Sequence, residues 1–174
     1  PTAARIRKTL TELGPTFVKL GQVLSVRPDI VPASLMLELQ SLQDRVPPIG
    51  FAAVKEVLEQ ELGTELGDLF QSIEETPLAS ASIAQVHRAV LRDGQTVAVK
   101  VQRPEIAERI RSDLHILYTR AHFIAGRVEL PGFYTPVGIV KEFDAAINME
   151  LDFLQEGRAI ARFRHLFRNH EEIT

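Results

Sequence analysis

Apolar residues in the first third of the chain return every three or four positions, the interval that gathers them on one face of an α-helix. Proline and glycine cut that pattern into short pieces. Leu13-Gly14-Pro15-Thr16 closes one helix and opens another, with Pro15 in the early position that suits its fixed φ. Phe17, Leu20 and Leu24 are expected to share an inward stripe on the second helix. Pro28 and Pro32 bracket a turn, and Leu35, Leu39 and Leu42 mark a further helix that must end before Pro47-Pro48. Val54, Val57, Leu58 and Leu62 keep helical spacing from Phe51 on, and Gly63 supplies a left-handed stop.

The period drops to two beyond Ile73, where β-branched residues alternate with polar ones, and strands are predicted at about 74–79, 83–91 and 96–102. Arg92-Asp93-Gly94-Gln95 is the hairpin turn between the last two, on the strength of its Asp-Gly pair. Val97, Val99 and Val101 then face one way and Thr96, Ala98 and Lys100 the other, because successive strand side chains alternate faces. Arg103-Pro104 ends the strand. Ile106, Ile110, Leu114, Leu117, Ala121 and Ile124 describe an amphipathic helix closed by Gly126, and Leu130-Pro131-Gly132 is a loop. A second long helix is predicted from about Pro136 to His165, with Phe143, Ile147, Leu151 and Leu154 on its inner stripe. The fold class is α+β: a helical layer over residues 1–72, packed on a lobe over 73–174 that holds a small antiparallel sheet and long helices.

Composition narrows what such a fold can do. The 174 residues, 45% hydrophobic and 25% charged, can bury a core of ordinary size. Twenty Lys and Arg against 23 Asp and Glu leave a charge of −3, so no global basic field gathers nucleic acid, which is not an expected partner. Any anion site must be local. With no Cys, disulfides and thiolate chemistry are excluded, and no apolar run approaches the ~18 residues that span a bilayer. The chain begins at Pro1 without Met and stops at Glu171-Glu172-Ile173-Thr174, so it reads as a piece of a longer protein.

Three signals fall in a meaningful order: a small-residue loop between strands, a lone lysine near the end of the next strand, and a later helix rich in carboxylates. That is the order of a kinase N-lobe, where a loop covers the nucleotide phosphates, a strand lysine contacts them and a helix glutamate holds the lysine. Val97-Ala98-Val99-Lys100 matches the strand signature. The loop departs from it, since Leu78-Ala79-Ser80-Ala81-Ser82-Ile83 carries Ala and Ser where ordinary kinases carry Gly-x-Gly-x-x-Gly, and alanine does not reach positive φ cheaply.

Taken together, Lys19-Leu20-Gly21-Gln22 within Leu13 to Gln22, Ser25-Val26-Arg27-Pro28-Asp29, Leu42-Gln43-Asp44, the Ala-rich loop, the Val97 to Pro104 strand and Glu150-Leu151-Asp152-Phe153 resemble the UbiB-type, or ADCK-like, atypical kinases nearly end to end. The resemblance implies a kinase-like fold whose helical extension lies over the nucleotide cleft. By motif, Lys100 is the nucleotide-phosphate lysine, Ala79, Ser80, Ala81 and Ser82 the phosphate loop, Lys19 and Gln22 the occluding pair, and Glu150 and Asp152 the acids facing that pair. It further implies ATP or ADP with Mg²⁺ as cofactor and kinase or ATPase activity in the full-length protein. That activity would support prenyl-quinone biosynthesis, ubiquinone included, and lipid homeostasis, with membrane lipid or quinone-biosynthesis proteins as partners. The implied place is intracellular, peripheral to or anchored in a membrane.

Helical spacing refines the roles. Lys19 and Gln22, three apart, can present one polar patch, and Asp152 and Glu156, four apart, share a face, whereas Glu150 and Asp152 lie roughly opposite in an ideal helix. Glu156 is therefore expected to pair with Lys100, leaving Glu150 and Asp152 to Lys19 and a metal, with Glu150 the competing partner for Lys100. Arg158, Arg162, Arg164 and Arg168 read most simply as a solvated face, and His115 and His122 as surface or interhelical residues. No catalytic-loop Asp and Asn and no D-F-G triplet occur, so this segment alone is expected to bind ATP weakly or not at all and to be inactive. Two rivals remain open: a nucleotide-gated lipid-handling or regulatory module without phosphotransfer, and a non-catalytic helical scaffold.

Overall fold

A computed structural model describes residues 2–42, 46–127 and 134–168. Gln43-Asp44, the Leu130-Pro131-Gly132 loop and the last six positions lie outside them. Three helices, α1 (Thr2–Leu13), α2 (Pro15–Leu24) and α3 (Ala33–Gln40), form the first layer around Val18, Val31, Leu39 and Leu42. Gly14 turns the chain between the first two at φ 107°, a conformation that glycine alone adopts freely, and Pro15 opens α2. Gly21 lets the layer close, because a Cβ there would lie 2.3 Å from Leu42 Cδ1 and 3.0 Å from Leu10 Cδ1.

The stripe expected on α2 is divided in the structure. Val18 and Leu24 turn to the first layer, while Leu20 and Val23 pack against a second cluster built on Ile83, Ile110, Phe143 and Ile147. A helix held between two cores shows apolar residues on two sides, which a one-faced reading of its period misses.

The helix α4 (Phe51–Leu62) ends on Gly63 at φ 67°, and the single turn α5 (Leu66–Leu69) leads into the sheet. Its strands are β1 (Phe70–Ile73), β2 (Ala79–Ser80), β3 (Ala84–Leu91) and β4 (Thr96–Gln102). The strand predicted at about 74–79 is not present: residues 74–78 form the turn between two short strands, β1 before the predicted range and β2 at its last residue. Both pair antiparallel with β3, β1 along its far end through Ile73 and Ala89 and β2 along its near end through Ala79 and Val86. The other edge of β3 carries β4 through the predicted Asp-Gly hairpin, with Lys100 opposite Val86. Val54, Leu58, Leu66 and Phe70 pack with Ala89 and Val101, and Val97 and Val99 join them, so α4 covers the valine face and leaves the Lys100 face to the other side.

Two long helices cover that side: α6 (Ile106–Ile124) and α7 (Pro136–Leu151), followed by α8 (Phe153–Leu166). Ile106, Ile110 and Leu114 of α6 meet Phe143 and Ile147 of α7, while Ile124, expected on the same stripe, is 38% exposed. The single helix predicted from about 136 to 165 is interrupted at Asp152, whose ψ of 82° leaves the helical region. Its side chain accepts from Gln155 N at 3.1 Å and starts α8 as an N-cap, while Gln102 of β4 donates to the Leu151 carbonyl released by the break. The break turns Leu154 off the inner stripe and out to 74% exposure.

Candidate functional site

A cleft of about 960 Å³ opens where β3, β4, α2, α7 and α8 meet. Its roof is the tight turn between β2 and β3, in which Ala81 N donates to the Ala84 carbonyl at 2.8 Å and Ser82 is buried. From β4, Lys100 Nζ reaches Glu156 Oε2 of α8 at 2.6 Å and lies 4.5 Å from the centre of the Phe153 ring. From α2, Lys19 Nζ reaches Glu150 Oε1 of α7 at 2.7 Å. The pairing Lys100 with Glu156, and not the competing Glu150, is the arrangement present.

The interruption at Asp152 is what gives each lysine its own acid. In an unbroken helix, positions 150 and 156 would stand about 120° apart around the axis, and one of the two carboxylates would be carried away from the cleft. Both pairs are partly exposed, so each contributes little to stability and serves chiefly to fix where its charge lies.

Several expected members of the site are elsewhere. Gln22 does not share the cleft with Lys19; its amide donates to the Leu42 carbonyl at 3.3 Å and ties α2 to the end of α3. Asp152 does not share a face with Glu156, because it caps the helix that Glu156 belongs to. Of the loop residues, Ala81 and Ser82 line the cleft, whereas Ala79 and Ser80 form β2 beside it. Arg158 and Arg162, read as part of a solvated face, line the cleft.

Three side chains that the motifs did not single out hold the roof. Arg103 donates to the Ala81 carbonyl at 2.9 Å, to Ser80 Oγ at 2.9 Å and to the Pro47 carbonyl at 2.8 Å, and burial lowers its pKa from the usual arginine value. Gln85, fully buried, accepts from Ile49 N at 3.0 Å, and its amide lies 2.8 Å from the Nε2 of His87. Because that amide donates, His87 holds its proton on Nδ1, which lies 2.7 Å from the Glu74 carbonyl. A period-two pattern signals which face a strand residue takes, not that a polar residue on it will clamp the backbone of a distant linker. Outside the roof, Thr16 Oγ1 donates to Asp113 at 2.5 Å and joins α2 to α6.

Residues 41–174 match the ABC1 atypical kinase-like domain. The chain belongs to that family. It is 41% identical over 165 residues to "Probable protein kinase UbiB" of Marinobacter nauticus, covering 95% of this chain and 30% of the relative. It is 41% identical over 168 residues to the chloroplastic protein ACTIVITY OF BC1 COMPLEX KINASE 7 of Arabidopsis thaliana, covering 97% of this chain and 24% of that one. Among solved structures, the complex of Rv3197 with erythromycin from Mycobacterium tuberculosis superposes with a TM-score of 0.62 at 34% identity, covering 72% of this chain and 31% of that one. The chain thus spans under a third of the length of these relatives, and it carries the mixed helical and small antiparallel sheet arrangement of an ABC1 kinase-like fold.

Proposed function

We propose that this chain supplies the nucleotide-binding wall of an ABC1-family atypical kinase or ATPase, with α2 of the first helical layer closing one side of the cleft through Lys19, while the expected boundary at residue 72 falls inside β1 and α4 belongs to the opposite face of the sheet. The observation that carries the reading is the Lys100–Glu156 pair, set under a roof of small residues on the side of the sheet opposite its valine core. A nucleotide fits the donor set. Ala81 and Ser82 keep the roof low enough for phosphates, Lys100 offers a fixed cation, and the cleft volume exceeds what a triphosphate tail needs. Mg²⁺ would enter largely on the phosphates, since among the described residues no three acidic or histidine side chains converge on one point. Bound there, the cofactor supplies a transferable phosphoryl group. The chain's own residues orient it: Glu156 and the Phe153 ring hold the Lys100 ammonium in place, and Lys19 with Glu150 closes the opposite wall.

The service we assign to that nucleotide is prenyl-quinone biosynthesis and lipid homeostasis by the whole protein at a membrane. No helix among the described residues is long and apolar enough to cross a membrane. In the full-length protein, Lys100→Met is expected to weaken Mg-ADP binding at least tenfold, about 1.4 kcal/mol, by titration calorimetry. Glu156→Gln should weaken it too, and more than Glu150→Gln. Unchanged affinity in Lys100→Met would overturn the nucleotide reading in favour of a helical scaffold. Equal quinone levels in cells carrying binding-competent but hydrolysis-dead protein would favour a nucleotide-gated module that transfers no phosphoryl group.

A further inference from the structure

Arg158 and Arg162 stand one turn apart on α8, about 6 Å along its axis, and both line the cleft that holds Lys19 and Lys100. The cleft's charged side chains are then Lys19, Lys100, Arg158 and Arg162 against Glu150 and Glu156, an excess of two positive charges. Each glutamate lies against a lysine, at 2.7 Å for Lys19 and 2.6 Å for Lys100. Neither arginine has a hydrogen-bond or ion-pair partner among the described residues.

A phosphate approaching Lys100 meets an ammonium held in place by a carboxylate, as in the kinase pattern, so the pair directs the phosphate but adds no net positive charge to the cleft. A phosphate approaching Arg158 and Arg162 meets two planar donor forks that no carboxylate among the described residues pairs, and such forks recognise phosphate oxygens in pairs. The local field of a chain with net charge −3 is therefore positive at this wall.

Resting on the nucleotide reading of the cleft, we propose that Arg158 and Arg162 are its phosphate-recognition element and hold the polyphosphate end of the nucleotide, while the Lys100–Glu156 pair sets its position. The phosphate grip then comes from α8, an element that contributes no such cation in the kinase pattern, and it stands in for the backbone donors that an Ala-rich roof presents less freely than a glycine loop. The grip also depends on the interruption at Asp152, which sets the direction of α8.

The test titrates the full-length protein with adenosine, AMP, ADP, ATP and inorganic pyrophosphate, in wild type, Arg158→Gln, Arg162→Gln, the double variant and the double lysine variant. Both arginines are exposed, so the fold should survive, and unchanged thermal unfolding checks it. Wild-type affinity is expected to rise with phosphate number. The double glutamine variant should lose at least tenfold for ADP and pyrophosphate while adenosine binding is unchanged, and the lysine variant should recover part of the loss. If the double variant binds ADP as wild type does while Lys100→Met does not, the arginine assignment is overturned and the nucleotide reading stands. If wild type binds pyrophosphate through the arginines but no adenine nucleotide, the nucleotide reading falls and the anion site stands. If no phosphate compound binds, both fall.

Discussion

At the scale of single residues, the acidic motif separates into three tasks. Glu150 meets Lys19, Glu156 meets Lys100, and Asp152 between them caps a helix. Asp152→Ala is expected to cost about 1 kcal/mol in denaturant unfolding of the full-length protein, the usual loss for an N-cap, while Asp152→Asn keeps the cap and the stability. A loss of nucleotide affinity in the stable Asn variant would give the carboxylate a second task. The lysines and glutamates were legible because strand alternation and helical spacing fix directions locally. Gln22 and Asp152 were not, because each spends its polar group on backbone, Gln22 on a carbonyl freed at the end of α3 and Asp152 on an amide it must itself create by ending α7. Arg103 marks a strand end in the sequence pattern and is a clamp on three acceptors, which only the tertiary fold brings together.

Among the elements, Gly21 shows what a motif glycine is for. It sits mid-helix without a positive φ, yet a methyl group there would overlap the Cδ1 of Leu42, a buried side chain that would have to shift, and press on Leu10. Gly21→Ala is expected to destabilise the protein by about 1–3 kcal/mol through overpacking, despite alanine's better helix propensity, and thermal unfolding measures it. A neutral or stabilising result would show that α1 and α3 can part. The helices and the β3–β4 hairpin were legible from period and turn chemistry. The edge strands were not, since four residues and two residues are too short for alternation to declare itself. The end of α7 was not either, for Leu151-Asp152-Phe153 has neither Gly nor Pro and stops only because a capping aspartate finds its amide.

Across the whole molecule, the helical layer and the lobe are joined at both ends of α2. Thr16 bonds Asp113 at its start, and just past its end Arg27 bridges Asp29 and Glu142 of α7 with its guanidinium 5.2 Å from the Tyr134 ring. The Arg27 hydrogen bond, helped by Tyr134, holds the Asp29 carboxyl well below the usual carboxylate range. A depressed folded-state value adds stability above the unfolded pKa of about 3.9, and the gain disappears as pH falls through the folded value. Wild type and Asp29→Asn should therefore differ by a constant margin near neutrality that shrinks as pH falls below about 4 in chemical unfolding and closes only through the folded value; a gap that does not shrink below pH 4 would show that the charge plays no part. The clasp is exposed, so added salt should shrink the margin. Within its ten residues α2 completes two apolar clusters at once, Leu20 and Val23 in one and Val18 and Leu24 in the other. Melting either one strips a wall from the other, so the extension and the lobe rise or fall as one cooperative unit, and a ligand that tugs on Lys19 pulls on the interior of both.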